Sequence, residues 1–161
     1  MKKMFKVFFL VLLILFIIIF CYLFIGKAPR QKNIIWGVNF SQKGAESLKI
    51  NWKESYSAIL DDLKVKQIKL ITHWDLVEKQ KNDYYFDDVD WQVKEAEKRE
   101  AKLIFVVGIK TGRWPECHDP KWARGLLKED EQQELLKYLK EIILRYKDSK
   151  AIIAWQVENE P

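Results

Sequence analysis

Glu160 has the strongest claim to chemistry: in the run WQVENEP it follows an apolar segment and stands between Asn159 and Pro161. A carboxyl group at the C-terminal end of a buried strand is placed to exchange protons with a bound molecule. His73 and Trp74 end another apolar run, and Trp114 and His118 lie in GRWPECHDP. Imidazoles bind hydroxyls and indole rings cover apolar C–H faces, so these residues are candidate contacts for a polyhydroxylated ligand. Asn39, which closes the first apolar run, is a further candidate for the floor of such a pocket. Glu158 reads as a polar residue paired inside the fold.

Other polar groupings read as structural. His73 and His118 lack the close spacing of a metal site, so no metal is expected, and nothing in the chain calls for a cofactor. Asp87, Asp88 and Asp90 lack the spaced oxygens and the glycine of a calcium loop and mark a helix start instead. Trp36, Trp91 and Trp155 read as core residues. Cys21 lies in an apolar stretch and Cys117 stands alone beyond it, so no intrachain disulfide framework is expected.

The elements that must position these residues follow from periodicity. Four apolar runs, at 34–40 (IIWGVNF), 67–72 (QIKLIT), 102–108 (KLIFVVG) and 151–157 (AIIAWQV), read as strands covered on both faces. Between them lie helical patterns. Tyr56, Ile59, Leu60 and Leu63 predict a helix over Ser55–Lys64. Val89, Val93 and Ala96 predict another, capped by Asp87 or Asp88. Leu135, Leu139, Ile142 and Tyr146, with Leu136 and Ile143 beside them, predict a third over Glu129–Tyr146, after a long loop from Ile109 to about Lys128.

The order is βαβαβαβ, an α/β chain with a parallel sheet, either doubly wound or the first half of a (β/α)8 TIM barrel. No glycine-rich turn follows the first run, as a dinucleotide fold would need. Long loops after the second and third runs, carrying Trp74, Tyr84, Tyr85, Trp114 and Trp122, favour the barrel, whose βα loops build its binding face.

The motif Asn159-Glu160-Pro161 after AIIAWQV resembles the fourth-strand motif of a clan of retaining glycoside hydrolases that includes cellulase-like family 5 and β-galactosidase-like family 42. The stretch THWDLVEKQKNDYYFDDVDWQVKEAEKREAKLIFVVG is similar to the clan's second strand and second helix. The resemblance covers the chain from Ile34 onward and implies that 34–161 is the N-terminal half of such a barrel. It implies a general acid/base role for Glu160 and a hold on the sugar 2-hydroxyl for Asn159. Asn82 and Glu100 stand where the clan has glycine.

The clan's nucleophile is a second glutamate ending strand seven, which these residues do not include. A retaining glycosidase needs two carboxyl groups about 5–5.5 Å apart, each tuning the other's proton affinity. The missing C-terminal half of the barrel is then an obligatory partner, and this chain alone is expected to be inactive. The expected reaction of the whole is hydrolysis of O-glycosidic bonds in a β-linked oligo- or polysaccharide. The contrasting expectation is a non-catalytic, membrane-tethered carbohydrate-binding domain that keeps the aromatic contacts.

Val7–Ile25 carries no charge and no proline over a length close to the roughly 20 residues that cross a bilayer. Residues 1–26 therefore read as a transmembrane signal anchor and 27–33 as a linker. Basic residues flank both ends, and the balance favours a cell-membrane protein with its N-terminus inside and its domain outside. Of 28 basic residues six precede position 33, which leaves 22 against 23 acidic ones in the domain. That near-neutral balance lacks the basic excess of a phosphate-binding surface, so nucleic acid is not an expected partner.

Overall fold

A computed structural model of the chain describes residues 2–24, 34–112 and 117–159, which separate into two compact units near Ile34. The first unit is a single helix, α1 (Lys2–Phe24), whose most apolar 18-residue window has a mean hydropathy of 3.4, long and apolar enough to cross a membrane. The linker assigned to 27–33 lies outside the described residues.

The second unit alternates strand and helix: β1 (Val38–Ser41), α2 (Gln42–Ser47), α3 (Trp52–Asp61), β2 (Gln67–Ile71), α4 (Trp74–Val77), α5 (Asp87–Lys98), β3 (Lys102–Val107), α6 (Lys128–Tyr146) and β4 (Ile152–Val157). The strands form one parallel sheet in the order β1-β2-β3-β4. This is the expected βαβαβαβ order.

Register assigns each strand residue to a face. Phe40, Leu70, Phe105 and Trp155 stand side by side and turn toward the helices, where Phe40 meets Tyr56 at 4.8 Å and Phe105 meets Tyr146 at 5.3 Å between ring centroids. Side chains alternate along a strand, so the next residues line the opposite, inner face. Asn39, Lys69, Ile104 and Ala154 form one row there, and Ser41, Ile71, Val106 and Gln156 the row nearer the C-terminal ends.

Several local expectations are corrected. The strand expected at 34–40 begins only at Val38, and Trp36, expected in the core, is 79% exposed. Helix α3 starts before Ser55 because Asn51 Oδ1 accepts the amides of Lys53 and Glu54, and it ends before Leu63, which is exposed. Neither Asp87 nor Asp88 caps α5; Phe86 holds that position, and both aspartates lie in the first turn. On α6 the buried face runs through Glu134, Tyr138, Ile142 and Tyr146, with Leu135 and Leu139 partly buried beside it and Leu136 exposed. Tyr138 anchors that face: its ring stacks on Trp74 at 5.8 Å, and its hydroxyl lies 3.3 Å from that of Thr72.

Asn82 and Glu100 both adopt left-handed backbone, with φ of 63° and 55°. The glycine positions of the resembled clan thus keep a glycine-like conformation here without the glycine.

Candidate active site

The C-terminal ends of the four strands carry the polar residues. Beyond β4 the chain turns at Glu158, which has φ of 60°. Its carboxylate accepts the amides of Ile109 at 2.9 Å and Lys110 at 2.5 Å, so the polar pairing expected of Glu158 is with the backbone beyond β3. Two further backbone bonds, from Glu158 N–H to Val107 O and from Asn159 N–H to Lys110 O, join the same segments. Gly108 makes the approach possible. A Cβ there would lie 2.4 Å from Glu158 Oε1, and its φ of 135° is itself unfavourable for any other residue.

Asn159 is thereby fixed at the mouth of the inner face. Its Oδ1 accepts from Lys69 Nζ at 3.0 Å and from Gln156 Nε2 at 3.2 Å. Asn39, Lys69 and Asn159 line one cavity of about 500 Å³, together with Ser41, Thr111 and Gly112. Glu160, the expected acid/base residue, and Trp114 lie outside the described residues.

His73 and His118, 45 positions apart in sequence, meet edge to face with centroids 4.4 Å apart. His73 caps the strand β2 end and is buried, its Nε2 lying 3.0 Å from Ser41 Oγ. Ser41 Oγ already accepts the Gly44 amide as the cap of α2. Burial holds the His73 imidazole well below its usual range of protonation, and His118 and Lys43 add to the effect. His118 is half-buried and likewise lowered, first by burial and then by the Lys43 ammonium, against the opposing pull of Asp75 and Asp119. Lys43 Nζ reaches both Asp75 Oδ2, at 2.5 Å, and His118 Nδ1, at 3.2 Å. One cation therefore ties together the segments that follow β1, β2 and β3.

Trp74 requires a correction. It does not face the mouth: it is fully buried, with one ring face on Tyr138, its edge against Trp122, and its indole N–H donating to Glu78 Oε2 at 2.6 Å. An indole enclosed by aromatic rings offers no free face to a sugar. Glu78, for which the sequence predicts no role, organises the turn closed by the Gln80–Asp83 bridge. Its buried carboxylate also accepts the Asn82 amide at 2.8 Å, and its carbonyl accepts Trp122 Nε1 at 3.0 Å. The position of Glu78 four residues after Trp74, at the end of a short helix, was the available signal.

No protein-family model matches the chain, and no curated protein does. Solved structures do. A GH5_18 structure from Streptomyces cattleya in complex with GlcNAc superposes with a TM-score of 0.60 at 16% identity, over 77% of this chain and 33% of that one. Gan42B, a GH42 β-galactosidase, gives 0.57 at 12% identity over 81% of this chain and 22% of that one. A GH10 endo-β-1,4-xylanase from Gloeophyllum trabeum gives 0.53 at 18% identity, over 81% and 38%. At these identities the likeness shows the fold, that of TIM-barrel glycoside hydrolases, and the chain spans between about a fifth and two fifths of the length of these structures.

Proposed function

We propose that this chain forms the acid/base half of a retaining glycoside hydrolase that acts on a β-linked oligo- or polysaccharide, with Glu160 as proton donor and Asn159 as the residue that holds the sugar 2-hydroxyl. The observation that carries the reading is the anchoring of Asn159. Its backbone and side chain are both hydrogen-bonded at the C-terminal end of β4, on the inner face of the sheet, where TIM-barrel enzymes keep their chemistry. A side chain held in this way is pre-organised to orient a hydroxyl without loss of rotamer freedom on binding.

The reaction needs a second carboxylate on the far side of the barrel. The proposal assigns it to the strands that complete the cylinder, so the partner of this half is the remainder of the barrel. His118, in the loop after β3, and Asn39, on β1, complete the sugar contacts, and Trp114 is a further candidate. The domain stands outside the cell membrane, held there by α1.

The test uses a version extended through a complete barrel. Glu160→Gln should abolish hydrolysis of β-glycosides with poor leaving groups and leave the fold intact; normal turnover in that variant refutes the assignment. Location is tested on intact cells with a membrane-impermeant maleimide in the Cys21→Ser background. Cys117 is exposed, so labelling before lysis supports the outside placement, and labelling only after lysis reverses it.

A further inference from the structure

Lys43 stands on α2, the short helix that follows β1. Its ammonium has only hydrogens to offer. The contact of 3.2 Å to His118 Nδ1 therefore requires that nitrogen to be an acceptor, which places the ring's single proton on Nε2. The second donation of Lys43, to Asp75 Oδ2, fixes the ammonium in place, and the Asp75 amide donates to the His118 carbonyl at 3.0 Å. His118 is held at its ring by the segment following β1 and at its backbone carbonyl by the segment following β2.

The opposite edge of the ring lies against Gly112. A Cβ at Gly112, which lines the cavity, would lie 3.6 Å from His118 Nε2. Among the described residues no group accepts from Nε2.

We infer that Lys43 is a positioning residue that locks His118 as the neutral Nε2–H tautomer, so that the ring presents a hydrogen-bond donor beside Gly112 to an uncharged carbohydrate oxygen. This rests on the proposed sugar-binding role of the site. The groups that face His118 are Lys43 from α2, Asp75 and His73 from the end of β2 and α4, and Asp119 from its own loop. Asp119 is engaged by Arg124 at 2.7 Å and Asp75 by Lys43, so each acid that pulls toward a charged imidazole carries a cation of its own, and burial together with the Lys43 ammonium outweighs that pull. Protonation of Nδ1 would set two donors against each other, and the ring stays neutral while Lys43 is charged.

The chain has only two histidines, which makes the test direct. The full chain, labelled with ¹⁵N and held in detergent micelles, should show two imidazoles in a two-bond ¹H–¹⁵N correlation spectrum, with His118→Gln assigning one of them. At neutral pH the His118 pattern should be protonated Nε2 and bare Nδ1, and in Lys43→Met its titration midpoint should rise toward 6.5 while the two tautomers mix. Lys43→Arg, which keeps the charge and the donors, should hold the native pattern. A proton on Nδ1 in the unmodified chain overturns the inference whether or not the Lys43→Met chain folds, and so does an unmoved midpoint in a folded Lys43→Met chain. Adding a β-1,4-linked gluco-oligosaccharide to the same sample addresses the underlying sugar reading separately. A shift of the Nε2–H signal supports the donor role, and its absence counts against the carbohydrate reading while leaving the tautomer result standing.

Discussion

Lys69 Nζ and Asn159 Oδ1 lie 3.0 Å apart although their strands, β2 and β4, are separated by β3. Neighbouring strands are spaced about 4.8 Å apart, so a flat sheet would hold these backbones nearly 10 Å from each other. A lysine stem bridges that gap most readily when the sheet curls and brings inner-face side chains together. The bond fits a curled sheet and, with Gln156, holds Asn159 Oδ1 in place. Lys69→Met keeps the stem and removes the donor. In a double-mutant cycle with Asn159→Ala, followed by urea unfolding in mild detergent, the pair should show a coupling of about 1 kcal/mol. Strict additivity would mean that the contact contributes nothing.

The clamp between Glu158 and the segment after β3 depends on a missing side chain at Gly108. Gly108→Ala sets a methyl group 2.4 Å from the carboxylate and also forces a non-glycine residue into a φ of 135°. Strain of that kind costs about 1–3 kcal/mol, and the displaced carboxylate leaves the amides of Ile109 and Lys110 without their acceptor. The urea midpoint should fall without a change in slope. Glu158→Gln, which retains one acceptor oxygen, should fall less, and equal losses in the two variants would contradict the clamp.

The sequence conveyed the layers of this fold better than its turns. Uninterrupted apolar strands and helices with period 3.6 fixed the parallel sheet, because burial on both faces leaves few alternatives. The start of β1 was misplaced because Ile34, Ile35 and Trp36 are apolar yet exposed, and composition cannot separate an exposed apolar run from a buried one. Trp74 was assigned to the mouth from its place after a strand. Its burial follows from Tyr138 and Trp122, more than 40 residues away. The meeting of His73 with His118 was equally hidden, since it depends on how the loop after β3 folds back over β2. At the end of β4 the polar pairing of Glu158 was legible, and its partners, the backbone amides of Ile109 and Lys110, were not.

Glu100 offers a stabilising change. It is exposed, holds a φ of 55°, and its side chain makes no hydrogen bond among the described residues. Left-handed backbone costs an ordinary residue about 1–2 kcal/mol, whereas glycine's extra freedom in the unfolded chain costs about 0.4–1 kcal/mol. The first effect is larger, so Glu100→Gly should raise stability by roughly 0.5–1 kcal/mol. Asn82→Gly, at a φ of 63°, should gain less because asparagine tolerates this region. A loss of stability in Glu100→Gly would mean that Glu100 is stabilised by an interaction other than a side-chain hydrogen bond.

The histidine pair predicts how stability responds to pH. Both imidazoles are lowered in the folded chain, His73 by burial, His118 and Lys43, and His118 by burial and Lys43. In the unfolded chain both return to the ordinary value of 6.5. The unfolded state therefore binds more protons just below that value, and stability must fall as the medium is acidified. The contribution is fully present above 6.5 and is lost toward the lower folded-state values. Each proton taken up on unfolding adds a slope of about 1.4 kcal/mol per pH unit. The paired carboxylates of Asp90, Glu95 and Glu134, held down by Arg145, by Lys98 and Arg99, and by Lys137 and Lys81, lose their own contribution only below ordinary values of 3.8 to 4.5. The interval between those values and 6.5 thus isolates the histidines. Urea midpoints taken across it should decline steadily in the unmodified chain and less steeply in His118→Gln. A flat profile would show that the folded chain takes up these protons as readily as the unfolded one, which the enclosure of His73 forbids.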